Sequence, residues 1–130
     1  TLVHGDAKVA NFCFSTQDEK VAAVDFQYVG GGTGVQDLAY LLGSALSEKA
    51  LSENLPYLLD HYFAELGREL MAQGESQAFA QEVIDEWQRL FVIAWADFHR
   101  FIIGWSPTHI KNTPFSQKLT KQALQQLRNA

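Results

Sequence analysis

From Phe79 to Ile102 the chain sets Phe79, Val83, Trp87, Leu90, Phe91, Ala94, Phe98 and Ile102 at three- and four-residue intervals. That period runs for roughly six helical turns, so the segment reads as a long core helix, with Pro107 and Pro114 beyond its end. Upstream, Leu55, Leu58, Leu59, Tyr62, Phe63, Leu66 and Leu70 keep the same spacing. This predicts an amphipathic helix capped by Ser52, with Pro56 in its early turns and Gly74 as its stop. Leu38 to Leu42, entered at Asp37, predict a buried helix ending near Gly43, and Leu119, Ala123, Leu124 and Leu127 predict a terminal one.

The first 35 residues have a different texture. Thr1 to Val3, Phe12 to Phe14 and Val21 to Val24 read as short strands, the last two joined by the polar turn Ser15 to Lys20 as a hairpin. Four of the five residues from Gly30 to Gly34 are glycine, which predicts a loop without regular structure. The fold class expected is α+β and mainly helical, in one domain: residues 1–35 as a small β-hairpin region and 36–130 as a helical subdomain.

Hydrophobic residues at 47% against 19% charged mark an ordinary globular chain, and a net charge of −5 supplies no positive field for nucleic acid. The apolar run Phe91 to Ala96, closed by Asp97, is far below the roughly 20 residues needed to cross a bilayer, so no membrane span is expected. The single cysteine, Cys13, suits a reducing compartment, and its place between Phe12 and Phe14 predicts a small core hydrophobe. With no basic leader ahead of Leu2, the expected location is the cytoplasm. Thr1 is not an initiator methionine, and the first motif arrives at His4, so a missing front half is expected.

The chemistry concentrates in His4-Gly5-Asp6-Ala7-Lys8-Val9-Ala10-Asn11, followed by Asp25 fourteen residues after Asn11. An Asp with an Asn five residues on, in a loop between strands, offers one carboxylate to orient a hydroxyl nucleophile and one amide oxygen for a cation. Asp25, at the end of the Val21 to Val24 strand, offers a second carboxylate to the same cation. Phosphoryl transfer from a nucleotide gathers negative charge that Mg²⁺ neutralises, and Mg²⁺ takes one or two protein oxygens plus water and phosphate. Asn11 and Asp25 are a sufficient protein share. Asp6 needs position more than basicity, and Lys8 would put an ammonium near the transferring phosphoryl group.

The segment resembles the catalytic loop of the aminoglycoside phosphotransferase and choline kinase-like enzymes within the protein-kinase-like superfamily. There His-Gly-Asp with a later Asn replaces the His-Arg-Asp of protein kinases. The resemblance covers residues 1 to about 45 and implies a kinase C-terminal lobe acting on ATP and a small-molecule alcohol. It implies that Asp6 is catalytic, that Asn11 and Asp25 bind Mg²⁺, and that Asp37 in Gln36-Asp37-Leu38-Ala39 braces the loop through its backbone amides; His4, on its own chemistry, reads as a hydrogen-bonding residue with a positioning role. Asp25-Phe26-Gln27 after a short apolar strand is more similar to the choline kinase-like and ecdysteroid kinase-like branch than to the aminoglycoside-resistance branch. Lys8 departs from many small-molecule kinases and is similar to the protein-kinase loop.

Plainer readings stand beside these. Asp37 before an apolar helix is also a natural N-cap. Trp87, Trp95 and Trp105 read as core rather than as a cage for a quaternary ammonium. Asp97, His99 and Arg100 lie where the resemblance implies an acceptor pocket, but they read as a solvated face, and His61 and His109 as surface residues. Three functions compete. The first is a kinase acting on a small-molecule hydroxyl. The second is a non-catalytic kinase-like binding module, since no Gly-rich phosphate loop, strand-borne lysine or partner glutamate accompanies the motif. The third, a metallophosphatase using His4, Asp6, Asn11 and Asp25, lacks the several histidines that two-metal sites take. As a polypeptide of these residues alone, the chain is expected to be inactive. Neither the acceptor nor the oligomeric state is readable from the residues.

Overall fold

A computed structural model of the chain describes residues 1–129. Four helices carry most of it: α1 Gly34–Ala45, α2 Glu48–Ala72, α3 Gln77–Trp105 and α4 Pro114–Arg128. Ahead of them lie four short strands, β1 Leu2–Val3, β2 Phe12–Phe14, β3 Val21–Ala23 and β4 Gly30–Gly31, with a single 3-10 turn at Val9–Asn11. The mainly helical α+β class expected from the residues is the class observed.

α3 is the central element, packing against α1, α2 and α4. Its Phe91, Ala94, Trp95, Phe98 and Ile102 meet Val35, Leu38, Ala39 and Leu42 of α1, Leu51, Leu55 and Phe63 of α2, and Leu119 of α4 in one buried cluster. Burying each of the large side chains contributes on the order of 1.5–3 kcal/mol. Gly43 lets α1 approach α3, since a Cβ there would overlap the Phe98 ring. Trp95 is fully buried, and its Nε1–H finds no partner among the described residues. An orphaned donor of that kind costs about 1–3 kcal/mol. The rings of Phe91, Phe98 and Phe115 lie 5.9, 5.8 and 5.8 Å from it, and at about 0.5–1.5 kcal/mol each they offset that cost.

Local chemistry accounts for the boundaries. Thr33 caps α1, its amide held by the Gln36 side chain at 3.3 Å, and Ser47, Ser76 and Thr113 each accept a backbone N–H at the starts of α2, α3 and α4. α2 ends as glycine dictates. Gly74 takes φ +95°, its N–H bonds the Met71 carbonyl at 3.0 Å and the Glu75 N–H bonds Leu70 at 3.1 Å, which is a Schellman closure.

Several expectations are corrected. α2 starts at Glu48 under Ser47, not at Ser52, so Pro56 lies inside the helix. Its first turn is pinned from outside: Leu51 is buried and the Glu48 carboxylate accepts the Phe115 N–H at 2.9 Å. Gly30 and Gly31 form a strand against β1, with Leu2 opposite Gly31 and Val3 opposite Gly30. Cys13 is exposed rather than part of the core: it lies opposite Ala22 in the β2–β3 hairpin, whose strands keep Phe14 and Val21 exposed as well. Trp105 is 69% exposed at the last turn of α3, and only Trp95 is fully buried. His99 is buried rather than solvated, bonded to Thr120 at 2.8 Å and Asn112 at 3.0 Å, so it ties α3 to α4 and to the loop before it.

Candidate functional site

The segment from His4 to Asn11 connects β1 to β2 and is held in place from α1. Asp37, in the first turn of α1, accepts the His4 amide at 2.6 Å on one carboxylate oxygen and the Gly5 amide at 3.0 Å on the other. It is therefore not the N-cap; Thr33 is. The position suits a carboxylate, because the helix N-terminus carries partial positive charge. Close by, the Tyr62 hydroxyl is pushed up to about 12, first by burial and then by the Asp37 charge.

His4 ties this loop to the hairpin. Its Nε2 lies 2.8 Å from the Val24 carbonyl and its Nδ1 is 3.3 Å from the Asp6 amide. The carbonyl can only accept and the amide only donate, so the ring carries its proton on Nε2. Its faces rest near Phe12 and Phe26, with centroids 5.9 and 5.2 Å away. Gly5 has φ +82°, and a Cβ on it would fall on the Tyr28 carbonyl, so only glycine fits there without strain.

Asp6, Lys8 and Asn11 converge. The Lys8 Nζ lies 2.9 Å from Asp6 Oδ2, and Asn11 Nδ2 donates to the same oxygen at 3.1 Å and to the Asp6 carbonyl at 2.8 Å. Backbone bonds from Lys8 to Asp6 at 2.8 Å and from Asn11 to Lys8 at 2.9 Å close the turn. Among the described residues nothing bonds Asp6 Oδ1 or Asn11 Oδ1, so one carboxylate oxygen and one amide oxygen are free for a ligand. The Lys8 ammonium is held above the usual lysine value by its hydrogen bond to Asp6 and then by the Asp6 charge, with smaller contributions from Asp25 and Tyr28.

Asp25 stands apart from this cluster. No hydrogen bond or ion pair joins it to the other site residues, although its charge reaches Lys8. Its backbone is in the left-handed region at φ +63°, a conformation that costs a non-glycine residue of order 1 kcal/mol and that Asp tolerates better than most. The preceding residue is gripped twice, since the Val24 N–H bonds the Asn11 carbonyl at 2.9 Å while the Val24 carbonyl meets His4. Among the described residues, no three His, Cys, Asp or Glu side chains group as a metal site.

Beside Asp6 and Lys8 opens a cavity of about 650 Å³, lined by Gly5, Gln27, Tyr28, Tyr40, Ser44, Phe98, Phe101, Ile102, Trp105, His109 and Lys111. That volume lies within the range of small-molecule sites. From α3 it takes Phe98, Phe101, Ile102 and Trp105, and not Asp97, His99 or Arg100. Phe101 and Trp105 follow Phe98 by three and seven residues and so keep the helical period of the core, yet both are exposed, and nothing in the spacing marks them as cavity wall. Asp97 and Arg100 instead pair with each other at 2.8 Å on the surface.

A sequence profile described as the ecdysteroid kinase-like family matches residues 1–75, more than half of the chain, which includes the His4 to Asn11 segment, Asp25 and Asp37. The chain belongs to the ecdysteroid kinase-like family. Membership places it in the protein-kinase-like and choline kinase-like superfamily and makes its class that of a kinase-like phosphotransferase. No curated protein and no solved structure matches the chain. No helix among the described residues is long and apolar enough to cross a membrane.

Proposed function

We propose that these residues form the catalytic lobe of a kinase that moves the γ-phosphate of ATP to a hydroxyl of a small molecule. The observation that carries this is Asp6, fixed through Oδ2 by Lys8 and Asn11, open at Oδ1, and set at the edge of a cavity of small-molecule size. A hydroxyl lying in that cavity can donate to Oδ1, which orients it for in-line attack and takes its proton as the bond to phosphorus forms. Lys8 holds the other oxygen of the carboxylate and keeps a positive charge beside the reacting groups, where charge develops on the phosphoryl oxygens. His4 and Asp37 are positioning residues: one fixes the hairpin to the loop, the other fixes the loop to α1.

Asn11 Oδ1 and the Asp25 carboxylate are hard oxygen donors without protein partners among the described residues, which is the donor chemistry Mg²⁺ takes. When bound, the ion would neutralise phosphate charge. In this reading residues 1–35 carry the catalytic loop and metal donors, 36–129 build the acceptor side, and a separate lobe supplies the nucleotide clamp. The residues here include no strand-borne lysine or partner glutamate of the kind that grips the α- and β-phosphates.

The test is made in a protein that joins these residues to a nucleotide-binding lobe. Asp6→Asn and Asp25→Ala should each lower kcat by at least about 10²-fold, with the circular dichroism spectrum unchanged. Undiminished turnover in both variants would end the assignment of these residues, and absence of turnover in the unmutated joined protein would favour a binding module that keeps the lobe without the reaction. The polypeptide by itself should not turn over ATP, and magnesium-dependent turnover by it would overturn the division into two lobes.

A further inference from the structure

The cavity beside Asp6 has an uneven chemistry. Its walls are mostly rings, with Tyr28, Tyr40, Phe98, Phe101 and Trp105 around it, and its charged lining consists of the mutually paired Asp6 and Lys8 together with Lys111. Lys111 belongs to the loop between α3 and α4. Its Nζ donates to the Leu46 carbonyl at 2.6 Å, and no carboxylate lies within ion-pair distance among the described residues. An ammonium has three donors; one is used here, and its charge is uncompensated.

Next to it stands a second donor. The Lys111 amide bonds His109 Nδ1 at 3.1 Å, which leaves the ring proton on Nε2, where no described residue accepts it. The His109 ring lies against Trp105 with centroids 5.5 Å apart. Lys111 lines both this cavity and a neighbouring one that contains Leu46, so it brings a cationic side chain to the boundary of the two, beside the His109 imidazole and the Trp105 ring. No carboxylate other than Asp6 lines the cavity, so a polycationic acceptor or a quaternary ammonium would meet an unneutralised like charge.

We infer that the phosphate acceptor is an apolar, ring-bearing alcohol that also carries an acidic group, and that Lys111 and His109 hold that group while the aromatic walls cover the body. The placement of its hydroxyl at Asp6 rests on the kinase reading above; the preference for an acid does not. A carboxylate or sulfate there would complete the ion pair that Lys111 lacks, and charge-assisted bonds of this kind are among the stronger ones in proteins. Burial lowers the Lys111 ammonium below the ordinary lysine value, as befits a cation partly removed from water without a counter-charge.

The experiment is calorimetric titration of the whole chain, without nucleotide, using hydroxynaphthoate and its uncharged counterpart hydroxynaphthamide. The naphthoate should bind roughly tenfold or more tightly. Lys111→Met should bring the two within about twofold by weakening only the acid, whereas Lys111→Arg should keep the preference. Equal affinities in the native chain, or a preference that survives Lys111→Met, overturn the inference. So does acetate binding as tightly as the naphthoate, which would make the site a bare anion pocket. Should Lys111→Met fail to fold, because it also releases the Leu46 carbonyl, the native ratio and Lys111→Arg decide. Neither titration needs turnover, so loss of the kinase assignment and loss of the acid preference are separately visible.

Discussion

Gly5 and Gly74 both sit at positive φ, yet their surroundings differ. At Gly5 the backbone is strained for any other residue and a side chain would strike the Tyr28 carbonyl, whereas at Gly74 nothing lies within 4 Å of a built Cβ. Gly74→Ala should cost about 1 kcal/mol, the conformational term alone. Gly5→Ala should cost about 2–4 kcal/mol, since strain and overlap add. Urea denaturation midpoints measure the difference, and equal costs would mean that the loop yields easily around Tyr28. At this scale the sequence was informative about residue type and poor on environment. Asp6, Lys8 and Asn11 were legible as a cluster because their spacing is short and a single turn brings them together. Lys111 and His109 were not, because nothing local tells a lysine or histidine in a loop that a cavity will form beside it.

Pro56 shows what an element can absorb. It lies about two turns into α2, where its missing N–H removes a helical bond and its ring crowds the preceding turn. The helix persists because its first two turns are docked: Leu51 and Leu55 are buried and Glu48 bonds Phe115. Pro56 itself is exposed, so Pro56→Ala should stabilise the chain by about 1–3 kcal/mol. A thermal midpoint that falls instead would show that the ring packs in a way the helix needs. Docking of this kind explains why the helix start was misplaced on sequence grounds, where proline marks a first turn. The end at Gly74 was readable, because closure there is a property of a few adjacent residues, whereas the start of α1 was placed at Asp37 and its cap is Thr33. Gly30 and Gly31 were misread for the opposite reason: their pairing partner is β1, nearly thirty residues away.

The whole molecule divides by where its core lies. The buried cluster belongs to the four helices, and the β2–β3 hairpin makes its regular contacts chiefly with itself while Phe14 and Val21 stay exposed. Backbone amides of α1 and α3 should exchange with solvent only through global unfolding, and those of Phe12 to Ala23 at least about a hundredfold faster through local opening. Mass-resolved hydrogen exchange checks this, and equal protection would mean that the hairpin is part of the cooperative unit. The helical class was legible because apolar periodicity is recorded along the chain itself. The cavity beside Asp6 was not, because a cavity is what remains after packing, and Phe101 and Trp105 acquire their meaning only from the space they fail to fill.

Asp37 and Tyr40 lie one turn apart on α1, the first grasping the His4 and Gly5 amides and the second forming part of the cavity wall. A guest that leans on the Tyr40 ring therefore bears on the same short rod that carries the loop. In the kinase proposed above, fit at one end of that rod would be felt as alignment at the other, and an ill-shaped molecule would be held with Asp6 out of line.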